Sequence, residues 1–406
     1  MQGITCRWMD VENKKLGVAT FDHNSVRSRR KLPRRATTGG DIVCRTVRTS
    51  LLVLASLLLA VPQQKRGPST APACTTATPA CTEWVPLGTD RARSLIYRSR
   101  SLEAQNAAVH RALIMVHGTN RNADHYFSTA VSAAFLASAL EDSIVIAPRI
   151  ASAAGSCDDA LADNEVSWSC TGDSWRSGGA AASHPELTSF DLVDQILKKL
   201  ANRTVFPNLR AIVVAGHSAG GQFVARYQMA NRVHDSLGVP ITYVVANPSS
   251  YAWPDATRPQ PVDDAAPERA KAAWETEQVH TAFSFGPFDA SACPNYNRWP
   301  AGLANRSGGY TQRTSDEQMK QQLVSRPTTF LFGQVDTLPL GGFDSSCPAM
   351  AQGATRRARG EAYVKYLNER LGAKHRVQIV PECGHNDRCV YTTDSVLPLV
   401  FPKVTE

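Results

Sequence analysis

The chain has 406 residues, 43% hydrophobic and 20% charged, with 44 Lys and Arg against 36 Asp and Glu, a formal net charge of +8. That length supports one large domain or two ordinary ones, and the balance excludes disorder, collagen and coiled coil. No apolar run reaches the ~18–20 residues that span a bilayer, which excludes a polytopic membrane protein.

The charge is concentrated at the front. Residues 1–66 hold 13 Lys and Arg against 4 Asp and Glu, while the remaining 340 residues hold 31 against 32. The basic block contains Arg27, Arg29, Arg30, Lys31, Arg34 and Arg35. An 11-residue apolar run follows at 51–61 and is closed by Pro62. A basic stretch before a short apolar run predicts a secretory signal peptide, too short to remain as a membrane span. The run begins later than in an ordinary signal of about 15–30 residues. A translation start near Val43, leaving Arg45 and Arg48 as the basic flank, accounts for that. Ser28-Arg-Arg-Lys-Leu32 is weakly similar to a twin-arginine signal but stands too far from the run. A polybasic arm for nucleic acid is the remaining reading of the block. Cleavage after Ala60 and at Ala71-Pro-Ala73 both fit. The expected division is a leader over 1–61, a Pro/Thr/Ala-rich linker over 62–82 and a folded body over 83–406. The expected location is secreted or periplasmic, with no nucleic-acid partner and no stable membrane span after processing.

Cysteine usage agrees with export. Cys6 and Cys44 fall in the leader, and eight remain after it. An even number after a signal-like segment suggests disulfides, although eight cysteines allow 105 pairings. Short loops favour Cys74–Cys81, Cys157–Cys170 and Cys383–Cys389, leaving Cys293 with Cys347. A zinc site at Cys383, His385 and Cys389 lacks any accompanying C-x-x-C pair, so no metal is expected.

The body alternates strand-like and helix-like stretches. Strands are predicted over 94–97, 112–116, 143–147, 211–215, 241–246, 328–332 and 376–380. Several are continuous apolar runs, as expected when both faces of a sheet are buried. Helices are predicted over 127–141, 187–201, 219–233 and 354–371; the tail 395–400 is left unassigned because Pro398 interrupts it. This alternation predicts a mostly parallel sheet covered on both faces. Two segments break it: 148–186, which carries Trp168 and Trp175, and the polar, Pro-rich 248–325. Segments this long in a compact domain are usually functional excursions.

The chemistry-bearing residues fall at strand ends. Strand 112–116 runs into His117-Gly118-Thr119-Asn120. Strand 211–215 runs into Gly216-His217-Ser218-Ala219-Gly220, which opens a helix: a G-x-S-x-G elbow in its strand–turn–helix context. Its glycines suit a strained turn that tolerates no side chain beside Ser218. A serine needs a base, and the base needs an orienting carboxylate. Strand 328–332 leads to Asp336 and strand 376–380 to His385, both beyond the carboxyl ends where ligands bind. Asp344 and Asp387 are fallback acids; His280 and His234 are alternative bases without that placement. Ala219 and Thr119, or Asn120, are the candidate backbone donors to an oxyanion, with Gly118 permitting close approach. His117 is assigned a structural hydrogen-bonding role. Trp168 and Trp175 are expected either in a substrate pocket or in ordinary packing. Asp124, His125 and Tyr126 are expected to cap a helix, and Arg356, Arg357 and Arg359 to form a solvated face.

In this order and placement, His117-Gly118, Gly216–Gly220, Asp336 and His385 make residues ~84–400 resemble the α/β-hydrolase family. Within it, the chain resembles secreted bacterial serine esterases or lipases. Val116-His-Gly-Thr-Asn-Arg-Asn-Ala-Asp-His-Tyr126 and Ala246-Asn-Pro-Ser-Ser-Tyr251 resemble a subgroup of them. The resemblance implies a sheet of about eight strands, with an excursion or cap over 252–325 between the sixth and seventh. It also implies ester hydrolysis through an acyl-enzyme without a cofactor, on a small-molecule or polymeric ester. A polyester depolymerase, a lipase, a peptidase and a catalytically idle binding protein are the rivals. Residues 252–325 are too polar for a lipid-adapted lid.

Overall fold

The seven predicted strands all join one eight-stranded sheet in the computed structural model, which describes residues 4–10, 15–21, 72–88, 91–261, 283–306 and 309–404. The chain divides into two units, Met1–Lys65 and Arg66–Glu406. In the first, β1 (Ile4–Asp10) pairs antiparallel with β2 (Lys15–Phe21). The apolar run at 51–61, Val43 and the arginine pairs lie outside the described residues.

In the second unit the sheet order is β12-β11-β8-β7-β5-β6-β4-β3. These are Thr82–Leu87 (β3), Ala92–Arg98 (β4), Arg111–Val116 (β5), Ser143–Pro148 (β6), Ala211–His217 (β7), Ile241–Ala246 (β8), Thr328–Gly333 (β11) and Arg376–Val380 (β12). The six strands from β5 to β12 pair in parallel, and β3 and β4 add an antiparallel edge. Strand β3 was not expected. It contains Pro86, which an edge strand accommodates because one side of its ladder is free.

Two apolar cores cover the sheet faces. One packs under α2 (Ser189–Leu200), α3 (Ala219–Ala230) and α6 (Arg356–Leu371). The other packs under α1 (Ala123–Leu136), α7 (Asp387–Thr392) and α8 (Leu397–Val400). Helix α2 starts at a capping box in which Thr188 and Asp191 exchange side-chain and backbone hydrogen bonds. Helix α1 begins four residues before its predicted start and ends earlier, where Ser138 turns left-handed at φ 52°. A short helix α5 (Cys347–Met350) precedes α6, and the unassigned tail forms α8, with Pro398 tolerated in its first turn.

The excursion between β8 and β11 is partly structured. A ribbon of β9 (Thr257–Pro261) and β10 (Phe283–Pro287) and the helix α4 (Asp316–Ser325) replace the expected irregular segment. The signal for α4 was its cap: Ser315 accepts from Gln318 N–H, ahead of Asp316 and Glu317. Fully buried Trp253 rests on Tyr363 and Tyr366 of α6, fixing the described part of the excursion to the body. Trp168 and Trp175 are likewise buried packing residues, the latter against His117 and Phe223.

All four expected cysteine pairs are disulfides: Cys74–Cys81, Cys157–Cys170, Cys293–Cys347 and Cys383–Cys389. The first lies within the end of the expected linker, which packs onto the body: Cys81 is buried and Cys74 N–H donates to Ser99 O at 2.7 Å. No helix among the described residues is long and apolar enough to cross a membrane.

Candidate active site

Sheet order creates the crevice. After β5 the chain adds β6 on one side, then returns to place β7 on the other, so the loops leaving β5 and β7 diverge at their carboxyl ends. Gly118 leaves β5 there and Ser218 leaves β7. A Cβ added to Gly118 would lie 3.7 Å from Ser218 Cβ and 2.7 Å from the Tyr126 hydroxyl, so the loop passes directly beside the serine.

Ser218 adopts φ 59° and ψ −120°, a conformation that side chains rarely take, and sits between the last strand residue and the first helical one. Its N–H donates to Ala246 O of the next strand at 2.9 Å. The turn closes because Gly220 is bare: a Cβ there would stand 2.2 Å from Val116 O. Ala219, as the first residue of α3, has an N–H without an intrahelical acceptor. Thr119 and Asn120 are exposed at the end of the β5 loop.

The hydroxyl of Ser218 donates to His385 Nε2 at 2.9 Å, and His385 Nδ1–H donates to Asp336 Oδ2 at 2.8 Å. Three residues predicted from three strand ends thus form one hydrogen-bonded chain. Asp336 is 3% exposed, so its second oxygen needs a partner inside the protein. Arg356 supplies it: NH1 donates to Asp336 Oδ1 at 3.3 Å, Nε to Ser249 Oγ at 2.8 Å, and NH2 to Leu340 O and Gly341 O at 2.6 and 2.9 Å. The expected solvated face of Arg356, Arg357 and Arg359 is therefore overturned. All three are buried, because the loops after β8 and β11 offer carbonyl acceptors to each guanidinium.

Neither neighbouring histidine competes as a base. His117 is fully buried, donates from Nδ1 to Gly118 O at 2.9 Å and accepts Ile150 N–H at Nε2. Burial pushes its pKa down to about 4, which fits the structural role expected. His217 lies 4.7 Å from His385 between ring centres. Burial, then the nearby His385, holds it well below the usual histidine range. Its Nε2 accepts from Asn247 Nδ2 at 3.3 Å, which directs Nδ1–H to the Tyr126 hydroxyl at 3.2 Å.

Asn247 is a residue sequence reasoning missed. Held at φ 46°, it accepts Gly333 N–H at 2.8 Å through Oδ1 and donates to Gly384 O at 3.3 Å through Nδ2. It thereby joins the ends of β8 and β11 to the loop of His385. The fallback acids lie elsewhere. Asp387 accepts from His125 Nε2 at 3.0 Å and Thr129 Oγ1 at 2.8 Å, locking α1 to α7. Asp344 accepts Ser346 N–H. Asp124, His125 and Tyr126 therefore do not cap α1, as expected from sequence: all three lie inside its first turn, after the cap position Asn122, and His125 and Tyr126 bond Asp387 and His217 instead. His234 bonds the Tyr243 hydroxyl, away from Ser218, and His280 lies outside the described residues. Cys383 and Cys389 are disulfide-bonded, and among the described residues no cluster of three or more His, Cys, Asp and Glu could hold a metal ion.

A sheet of this order, with a serine elbow after β7 and an Asp and a His beyond β11 and β12, defines a hydrolase fold. The model of the Alpha/beta hydrolase family matches residues 113–395, and the chain belongs to that family. No curated protein matches the sequence. Among solved structures, the chain is similar to a poly(3-hydroxybutyrate) depolymerase from Bordetella parapertussis, at 18% identity and TM-score 0.51 over 79% of this chain and 89% of that one. It is equally similar to poly(aspartic acid) hydrolase-1 from Sphingomonas sp. KT-1, at 21% identity and TM-score 0.51 over 79% of this chain and 98% of the other.

Proposed function

We propose that the protein is an exported serine hydrolase that cleaves carboxylic esters through an acyl-enzyme. The observation that carries this reading is the continuous chain from Ser218 Oγ through His385 to Asp336, at 2.9 and 2.8 Å. His385 takes the proton of Ser218 as Oγ attacks the ester carbonyl, then returns it to the leaving alcohol. Asp336 holds the tautomer that leaves Nε2 free to accept and stabilises the imidazolium. The N–H groups of Ala219 and of Thr119 or Asn120 bind the oxyanion. Water then releases the acid, with His385 again as base. The export reading is supported by the apolar run behind a basic flank and by four disulfides after the leader. It assigns residues 1–61 to a leader and 83–406 to the working domain.

A second reading, a polyester as substrate, is favoured by the loop that follows Asp336 and passes His385. Leu338 and Leu340 are 41% and 62% exposed there, and a Cβ on Gly341 would lie 3.5 Å from His385 Cδ2. Exposed leucines at the rim suit an apolar, insoluble ester.

The expected outcome is covalent labelling of the wild type by a fluorophosphonate probe, lost in Ser218→Ala, together with hydrolysis of p-nitrophenyl esters. Labelling retained in Ser218→Ala overturns the assignment. Clearing of a polyester emulsion separates the second reading from the first.

A further inference from the structure

Helix α3, which begins at Ser218, carries a second polar group that the ester chemistry leaves unused. Arg226 lies eight residues on, about 12 Å along the axis at 1.5 Å per residue. It is 1% exposed. Its Nε donates to Pro300 O at 3.2 Å and its NH2 to Ser250 Oγ at 3.3 Å, but NH1 has no partner among the described residues. No carboxylate forms an ion pair with it among the described residues; Asp173 and Asp344 act on it only through space. A buried guanidinium without a counter-ion is unfavourable, so such groups are usually paired.

Arg226 lines a cleft of about 310 Å³ together with Ser250, Asp173, Arg298, Pro300 and Asp344. Asp173 is already committed to Arg176, at 2.8 Å. Asp344 accepts Ser346 N–H at 3.0 Å, and exposed Arg298 adds a second positive charge at the wall. The floor is held in shape by hydrogen bonds: Gln222 Nε2 donates to Ser250 Oγ at 2.7 Å, and Arg176 NH1 to Gln222 Oε1 at 3.3 Å. The cleft also neighbours the ester site. In the loop that borders both, Gly341 faces His385, Gly342 faces Thr119 and Asp344 lines the cleft.

We propose that this cleft is a carboxylate-binding site anchored by the Arg226 guanidinium. A carboxylate supplies the missing counter-charge and accepts the free NH1 donor, a charge-assisted bond stronger than a neutral one. The remaining charge of Asp344 opposes a polyanion, so the ligand is a monocarboxylate, or a chain ending in one. Binding at this site does not depend on the chemistry assigned to Ser218.

Calorimetric titration of the full chain with butyrate and with its neutral isostere butyramide tests this. Butyrate is expected to bind at least about tenfold more tightly, with the preference retained in Ser218→Ala and lost in Arg226→Gln. Arg226→Lys, which keeps the charge but not the planar fork, guards against misfolding of the Gln variant and is expected to weaken butyrate several-fold. Equal affinity for the two probes, a preference that survives Arg226→Gln, or one that vanishes in Ser218→Ala overturns the site. The two sources of the carboxylate separate in kinetics, an arm that does rest on ester hydrolysis. An Arg226-dependent rise in KM caused by butyrate, seen only for an ester with its own terminal carboxylate, assigns the group to the substrate. Unchanged KM alongside calorimetric binding assigns it to a separate small acid.

Discussion

The two halves of the proposed active site are built by different means. Ser218 is placed by backbone: five consecutive residues, a left-handed turn, and contacts to Val116 O and Ala246 O on the flanking strands. His385 and Asp336 are placed by side chains that arrive from far along the chain. Asp336 lies 49 residues from its histidine, and Asn247 lies 86 from Gly333 and 137 from Gly384, both of which it holds. The difference is one of failure modes. A backbone-defined half has no slack and fails as a fold, whereas a side-chain-defined half loses alignment while the body survives.

Four substitutions bear on that contrast, in falling order of effect on turnover. His385→Ala is expected to lower kcat by about 10⁴-fold or more while the melting temperature stays near the wild type. An activity loss accompanied by unfolding would mean that the loop half also carries stability. Gly220→Ala puts a methyl 2.2 Å from Val116 O, a backbone atom that cannot turn aside. It is expected to destabilise by roughly 3 kcal/mol, at the upper end for an overpacked site, with turnover lost alongside; a well-folded, slow variant would break the contrast. Arg356→Met removes the hydrogen bonds to Asp336, Leu340 and Gly341. The expected result is a kcat lowered about 10–100-fold with KM nearly unchanged, since an oriented imidazole is needed only as the reaction proceeds.

The smallest effect on turnover belongs to Asp194, which lies beneath the serine half. It is 4% exposed and accepts the hydroxyls of Tyr227, on α3, and Tyr310 at 2.6 and 2.8 Å. Burial nonetheless raises its pKa to about 6. With the folded value above the unfolded one, the stability it contributes is full below about pH 4 and is lost as pH rises through about 6. Asp194→Asn is thus expected to gain about 2–3 kcal/mol on the wild type between pH 4 and pH 7, by chemical denaturation, with little change in kcat. A pH-independent difference would remove the titration from the account.

The same contrast explains what could be read in advance. The elbow was legible because its requirements are local: a β run, two glycines around a serine, a helical stretch. The positions of Asp336 and His385 followed from strand ends alone. Their support did not. Three arginines within four residues read as surface when only their own helix is considered; the carbonyls that bury Arg356 and Arg359 come from loops up to 110 residues away. The folded excursion was missed for a similar reason. Its ribbon contains Pro259 and Pro261, and its helix is too polar to show an apolar period. The short loops suggested for the disulfides were the productive clue, because closing a short loop demands little of the rest of the fold.

Asn247 sets a chemical restriction of its own. Its backbone is left-handed, and its side chain must accept from Gly333 N–H and donate to Gly384 O within one reach. Aspartate offers no donor, glycine offers neither group, and glutamine carries the amide one carbon too far. At a site usually summarised by its serine, acid and histidine, one position with few acceptable spellings in the amino-acid alphabet is a neutral amide assigned no part in the bond making.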